Sequence, residues 1–518
     1  MDTMALWRST VIVSAMTMLS RVLGLVRDIV LLNVFGAGKD FDTFVVAFRI
    51  PNFFRRLFAE GAFSQAFIPV LTEYKTGRTH AEVQILISRV FGCLMTVMTA
   101  LTFLAMVAAP AVLYIYAPGF HADPEKFDLA VSMFRLTIPY LLFMSLTAFA
   151  SSILNSYGSF ASPAFSPVLL NVAMIAGAWW LTPYMAEPIM ALGWAVIAAG
   201  VLQLAIQIPE LWHKKLLIPP KVDFKHEGVD RIMKLMLPAL FGVSVTQINL
   251  LLNTIWASFM QDGSVSWLYS AERMTELPLG LIGVAIGTVI LPALSTRHAE
   301  QNMSKFRGMM DWAAKVIVLV GVPASIALFM LSTPIIQALF QRGQFTLEDT
   351  QMTALALQCM SAGVISFMLI KVFAPGFYAQ QDTKTPVRVG LMAVAANAIL
   401  NVVFIGFFKL IDWQAEHMAL ALASSGSALV NAGMLYFYLH KRDIFRFGAH
   451  WKKLFIQFGI SNAVMIVALW YALTWYNGDV SQWIRVAEVI GLCMVGVVAY
   501  AVGLFFTGFR PRHLKHEA

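Results

Sequence analysis

The sequence predicts an all-α polytopic membrane protein of about fourteen transmembrane helices, and three observations predict it. The 518-residue chain is 59% hydrophobic and only 13% charged, with a mean hydropathy of +0.71; a soluble domain of this size needs far more polar surface. Apolar runs of span length recur from end to end. Strand-period alternation is absent, which argues against an outer-membrane barrel.

At about 20 residues per crossing, the spans fall near 10–35, 41–73, 85–109, 128–155, 160–182, 190–209 and 233–259. They continue near 265–295, 308–332, 348–378, 386–409, 416–440, 454–474 and 484–508. The first stretch has no A-x-A cleavage site and contains Arg21 and Arg27, so it reads as a retained helix and not a signal peptide. The second, eighth and tenth stretches are long enough to require tilt or a break. Pro51 and Pro278 lie where a break would serve.

Basic residues in the connections set the expected sidedness. With the N-terminus inside, roughly twenty lysines and arginines fall in cytoplasmic loops and tail, Lys75, Arg78, Lys384 and Arg388 among them, against five opposite (Lys39, Lys126, Arg342, Lys409 and Arg485). That asymmetry is the positive-inside pattern, and it places both termini in the cytoplasm. The longest polar connection, 210–232, contains Pro219-Pro220 and several lysines. It divides an N-lobe (1–209, spans one to six) from a C-lobe (233–440, spans seven to twelve). Residues 441–518 add spans thirteen and fourteen and a basic tail.

The lobes repeat one another. "AAPAVLYIYAPGF" (108–120) matches "STPIIQALFQRGQF" (332–345). Pro110 and Pro334, like Gly119 and Gly343, are 224 residues apart; Pro69 and Pro292, and Pro163 and Pro386, are 223 apart. Coincidental proline placement is the alternative, but four landmarks at nearly one offset argue for duplication. The offset spans six helices, an even number, so the copies share orientation. That is the parallel-repeat plan of transporters, with cargo between the halves.

Charged residues interrupt the apolar stretches at corresponding places. Arg21, Arg27, Asp28, Asp42, Arg49, Arg55, Arg56 and Glu60 lie in or beside the first two spans. The region Asp42–Arg56 corresponds to Ser266–Glu276, which carries Glu272, Arg273 and Glu276. An arginine at the bilayer centre costs about 2.5–3.5 kcal/mol on insertion scales, so such residues usually face a bundle interior or a wet cavity. Arg21 and Asp28 share a helix face, with Arg27 about 100° round from Asp28. Arg56–Glu60 and Glu272–Glu276 are four apart and Arg273–Glu276 three, spacings that permit pairing within a helix. Structural pairs that merely orient helices are the plain alternative, and Arg55 and Arg56 could snorkel at a helix end. The N-terminal cluster has five arginines against Asp28, Asp42 and Glu60. That surplus favours an anionic cargo, since guanidinium forks onto phosphate and carboxylate. Lys371 is a further cation within a span. Asn249 with Asn253, and Asn397 with Asn401, suit helix–helix hydrogen bonding, with a cation site as the alternative.

Other classes are disfavoured. The pI near 9.3 arises from loops that set topology, so no nucleic-acid partner is expected. Cys93, Cys359 and Cys493 lie far apart within apolar runs, and the histidines fall in loops or near span ends; neither a disulfide framework nor a metal site follows. "GAGKD" (36–40) lacks the spacing of a phosphate-binding loop. With no ATPase or cofactor signature, uphill work must draw on a coupling cation, the membrane potential or a downstream sink. The potential helps an anion outwards by roughly 2.3 kcal/mol per charge per 100 mV.

The same residues carry a resemblance. "SAMTMLSRVLGLVRD" (14–28), "FGAG" (35–38), "FRIPNFFRRLFAEGAFSQAFIPVLTEY" (48–74), "APGF" (117–120), "GSVSWLYSAERMTELPLGLIGVAIGTVILPALS" (263–295) and "APGFYAQQDTKTPV" (374–387) closely resemble the MurJ/MviN family. These are bacterial lipid II flippases of the multidrug/oligosaccharidyl-lipid/polysaccharide exporter superfamily. The resemblance implies a MATE-like fold of two six-helix lobes plus two extra helices that form an apolar groove for a lipid tail. It implies movement of lipid II, the undecaprenyl-diphosphate-linked peptidoglycan precursor, to the periplasmic leaflet of the bacterial inner membrane, with membrane lipids as surroundings. Functional positions of the family match Arg21, Arg27, Asp42, Arg55, Arg56 and Glu60, and Ser266, Arg273 and Glu276. Glu272 departs from an aspartate in relatives, keeping the charge on a longer arm. A sodium site proposed for some members leaves its ligands open here. The runner-up is a multidrug or other lipid-oligosaccharide exporter on the same fold. A cation-drug exporter would want an acidic cavity. A membrane enzyme on polyprenyl phosphate would show an acidic metal motif, and none is evident.

Overall fold

The computed structural model describes residues 3–57, 63–280 and 284–510. Among the described residues, each predicted span falls mainly on helix. In order, these are α1 (Thr3–Phe35), α2 (Lys39–Leu57), α3 (Phe63–Gly77), α4 (His80–Val107), α5 (Ala109–Tyr116), α6 (Pro124–Thr137), α7 (Tyr140–Ser156), α8 (Ala161–Ala176), α9 (Met190–Ala205), α10 (Ile208–His213) and α11 (Glu227–Ala257). They continue as α12 (Ser264–Pro278), α13 (Val284–Ala299), α14 (Met303–Met330), α15 (Ser332–Phe340), α16 (Leu347–Tyr378), α17 (Lys384–Leu410), α18 (Met418–Lys441), α19 (His450–Leu473) and α20 (Gln482–Phe506). Among the described residues, ten helical segments are long and apolar enough to cross a membrane by length and composition. The remaining four predicted stretches are also helical: α1, α2 with α3, α11, and α12 with α13. α2 is the polar one, with Lys39, Asp40, Asp42, Arg49, Arg55 and Arg56 in its 19 residues.

The duplication is visible in the element boundaries. α4 and α14 begin at 80 and 303, α5 and α15 at 109 and 332, α6 and α16 at 124 and 347, and α8 and α17 at 161 and 384, each pair 223 apart. The chemistry that opens two of these pairs recurs with different residues. Thr79 caps α4 in a box with Glu82, and Asn302, at the same offset, caps α14 by accepting from the Lys305 amide. Asp123 caps α6, and Thr346 caps α16 with Asp349. Any short oxygen-bearing side chain can satisfy the orphan first-turn amides, so identity drifted while position held. Pro51 does not break its stretch: α2 continues past it to Leu57. A proline removes one bond from the ladder, and neighbouring helices can absorb that loss. The α-helical part of α12 reaches Pro278 and passes into a π-helical turn at 279–280.

The helices assemble into two compact units, residues 1–266 and 267–518. The first therefore holds α11 and the start of α12, beyond the 210–232 connection. In it α1 packs on α8, α2 on α6, and α3 on both α7 and α11. Phe63, Phe67, Leu86, Phe149 and Leu154 form an apolar cluster within it. The polar connection lies against α4. The Lys221 amide donates to the Ser88 carbonyl at 3.0 Å, Ser88 Oγ to the Pro219 carbonyl at 2.7 Å. A methyl on Gly92 would stand 2.4 Å from the Lys221 carbonyl oxygen, so only glycine admits this approach. In the second unit α16 and α17 both pack on α18, α14 on α16, and α19 on α20. Phe306, Met310, Met368, Phe373, Phe377 and Trp451 fill the core. The two helices outside the duplication join this unit through α14 and α15. One tie is the Tyr500 hydroxyl, which donates to the Leu319 carbonyl at 2.8 Å.

Candidate functional site: ionisable groups on α1, α2 and α12

Asp42 in α2 is the most constrained charge of the first unit. It is 1% exposed. One carboxylate oxygen accepts from the Ser266 amide at 2.9 Å and the Ser266 hydroxyl at 2.5 Å. The other accepts from the Gly263 amide at 2.8 Å and from Lys126 Nζ at 3.3 Å. The carboxylate thus takes the exposed amides where α12 begins, which suits an anion at a helix N-terminus. Asp42 and Ser266 are 224 residues apart, the offset that relates the duplicated landmarks.

Lys126, expected as a loop cation, is instead buried in the first turn of α6. Its ammonium pairs with Asp262 at 2.6 Å as well as with Asp42, and lies 4.2 Å from the Phe120 ring centroid. A cation in a helix's first turn runs against the helix dipole. That mismatch is the available sequence signal for a special role. At the nearby surface Lys39 pairs with Asp123 at 2.7 Å, and this contact holds the Asp123 carboxyl below the ordinary range.

The arginines divide into three situations. Arg27 is buried and grips Asp28 through two nitrogens, Nε at 2.9 Å and Nη2 at 2.6 Å, while Nη1 donates to Asn171 Oδ1 on α8 at 3.1 Å. Adjacent helix residues do not face each other. A long arginine side chain nonetheless folds back along the surface, and Asn171 holds the far side of the fork. Arg49 is also buried and donates to Thr254 Oγ1 on α11 at 2.7 Å. Arg55 is half-buried, with Nε on Asn52 Oδ1 at 2.8 Å. Arg21 is exposed. Glu60 and the side chain of Arg56 lie outside the described residues.

In the second unit the i,i+3 pair forms as expected: Arg273 Nη1 donates to Glu276 at 3.0 Å. Nη2 donates to the Tyr269 hydroxyl at 3.1 Å, and the guanidinium lies 5.0 Å from the Tyr269 ring centroid. Both members are open, at 30% and 49% side-chain exposure. Glu272 is half-buried and its carbonyl accepts from Thr275 Oγ1. Arg273 is 224 residues beyond Arg49, so the two copies place an arginine at the same point. Asn401 Nδ2 donates to Asn397 Oδ1 at 3.1 Å within α17. Thr254, Asn171, Gly263 and Lys126 complete these networks, and their partners lie more than eighty residues away, beyond the reach of spacing arguments.

Comparison with known proteins shows the family of the whole chain. Residues 31–491 match the family model described as lipid II flippase MurJ. A probable lipid II flippase MurJ of Vibrio cholerae is 43% identical, with 98% of each chain covered. The lipid II flippase MurJ of Burkholderia cenocepacia is 38% identical over 99% of this chain and 100% of that one. Among solved structures, lipid II flippase MurJ in an inward closed conformation matches with a TM-score of 0.79 at 26% identity, covering 95% of this chain and 98% of that one. An inward-facing multidrug resistance MATE family transporter matches in fold alone, with a TM-score of 0.67 at 13% identity over 83% of this chain and 97% of that one. On the extent of these matches and the helical plan above, the chain belongs to the lipid II flippase MurJ family.

Proposed function

We propose that this protein moves lipid II from the cytoplasmic to the periplasmic leaflet by alternating access, with arginines of both repeats receiving the diphosphate. The single observation that carries the reading is the cationic surplus of residues 21–60, five arginines and Lys39 against the four acids Asp28, Asp40, Asp42 and Glu60, in a chain of this family. A diphosphate supplies the missing anion, and a net basic site disfavours a cationic drug as cargo. Arg21, exposed on α1, and Arg273, open on α12, are the guanidiniums readiest to meet it. Arg27 takes part by exchanging one oxygen of Asp28 for phosphate, and Arg55 and Arg56 attract the headgroup at the entrance. Asp28, Glu60, Glu272 and Glu276 hold arginines when cargo is absent. Asp42 and Ser266 fasten α2 to the start of α12 in one state and release it in the other. The prenyl tail stays in lipid beside α19 and α20. The membrane potential or a cation gradient supplies directionality, and both termini stay cytoplasmic.

The test is a leaflet-accessibility assay for lipid II after acute loss of the protein. Exposure at the periplasmic face should collapse; exposure retained at the normal level would overturn the reading. Arg21→Ala, at an exposed position, should abolish flipping with expression intact; Arg27→Ala should abolish flipping and also lower stability, because it leaves buried Asp28 without its partner. Arg→Lys should also impair flipping, because an ammonium cannot make the bidentate contact.

A further inference from the structure

We propose that the first three turns of α17 form a binding site for an anionic phospholipid, separate from the charged residues assigned to the cargo. Lys384 and Arg388, read from sequence as loop cations, lie on α17 itself. A shallow, open depression of about 500 Å³ is lined, among the described residues, by Lys384, Val387, Arg388, Leu391, Met392 and Ala395. Lys384, Arg388, Leu391 and Ala395 follow helical spacing, so one stripe runs from two cations into apolar surface.

The cations are available. Lys384 and Arg388 are exposed and make no ion pair among the described residues. The nearest acid in sequence, Asp382, is already committed: it accepts from Arg442 Nη1 at 2.6 Å and from the Thr385 hydroxyl and amide at 2.6 and 3.0 Å. Two neighbouring cations without a carboxylate are a mismatch that a phosphodiester would complete.

The apolar part has the length of one leaflet. Below the cations the stripe continues through Leu391, Ile399 and Val402, which are 50%, 64% and 57% exposed. From Leu391 to Val402 the helix rises about 16 Å, roughly half of a ~30 Å hydrocarbon core. Exposed aliphatic surface alone would accept any lipid tail. The pair of cations at its end selects an anionic headgroup, and the loop-charge bias assigns that end to the cytoplasmic surface. A soluble anion would satisfy the cations but leave the apolar stripe unused.

The test uses the full-length protein in detergent, with retention of added phosphatidylglycerol or phosphatidylcholine read by native mass spectrometry. Wild type should retain phosphatidylglycerol over phosphatidylcholine. The K384Q/R388Q double variant should lose that preference by about tenfold or more, with heat stability and lipid II flipping unchanged. L391W, which fills the groove, should lower retention of both lipids. Equal retention of the two lipids by wild type, an unchanged preference in K384Q/R388Q, or full competition by inorganic phosphate at matched concentration would overturn the proposal. Should the double variant misfold, the wild-type salt response decides: a preference that falls with ionic strength supports the site, and a flat response refutes it.

Discussion

The two copies of the duplicated segment place an arginine at the same point, Arg49 and Arg273, and treat it and its surroundings oppositely. In the first unit Asp42 and Arg49 are buried to 1% and 8% exposure; Asp42 accepts hydrogen bonds from α6 and the start of α12, and Arg49 donates one to α11. In the second, Arg273 and Glu276 pair with each other at 30% and 49% exposure. A buried charge persists only if its lone pairs and protons are met, and removing one partner is costly. A half-open pair contributes little to stability and gives up a partner easily. One ancestral position has therefore become a structural fastener in one copy and an accessible guanidinium in the other.

The sharpest test of that contrast is Asp42→Ala against Glu276→Ala. The first leaves Lys126 buried beside Asp262 alone and orphans two amides, and should lower stability by about 3–5 kcal/mol. The second should cost about 1 kcal/mol or less. Chemical unfolding in detergent measures both, and equal losses would erase the distinction. Next come the paired arginines. Arg49→Gln should destabilise by about 1.5–3 kcal/mol through a lost charge-assisted bond. Arg273→Gln should leave the unfolding midpoint nearly unmoved while reducing flipping. A stable R49Q with wild-type midpoint would break the comparison.

A smaller effect separates the repeat-mate glycines. A methyl on Gly119 would lie 2.1 Å from the Ser258 carbonyl oxygen, so Gly119→Ala should cost about 3 kcal/mol by forcing backbones apart. Gly343 has φ +57°, and Gly343→Ala should cost about 1–2 kcal/mol for a left-handed alanine. The same measurement ranks them; the reverse order would show that conformation outweighs approach.

The smallest effect lies outside the spans, at the Asp382–Arg442 pair. Burial alone would raise the Asp382 carboxyl. Bonds from Thr385 and Arg442 outweigh it and hold the group near 2, below the ordinary 3.8. A depressed carboxyl stabilises the fold above its unfolded value and loses that contribution as pH falls from about 4 towards 2. Arg442→Gln should lower stability slightly at neutral pH and flatten the acid limb of the pH–stability curve. A limb as steep as wild type would assign the acid sensitivity elsewhere.

By itself the sequence determined the helical membrane plan, the duplication and the identity of the ionisable positions. Those properties are local or periodic: span-length hydropathy, a recurring 223–224 offset, and caps that any short oxygen donor can supply. It also determined the Arg273–Glu276 pair, because three residues along a helix bring side chains together. Only the tertiary structure decided how each charge is met. Asp42 accepts from Gly263, Ser266 and Lys126, and Arg49 donates to Thr254, all over eighty residues away in the chain. Arg27 turns to its neighbour Asp28 because Asn171 on α8 holds the guanidinium there, a choice that spacing on one helix disfavours. Lys126 changed from a topological loop charge to a buried counter-ion for the same reason. Net charge can be counted along a chain, but which charges neutralise which depends on the helices that meet.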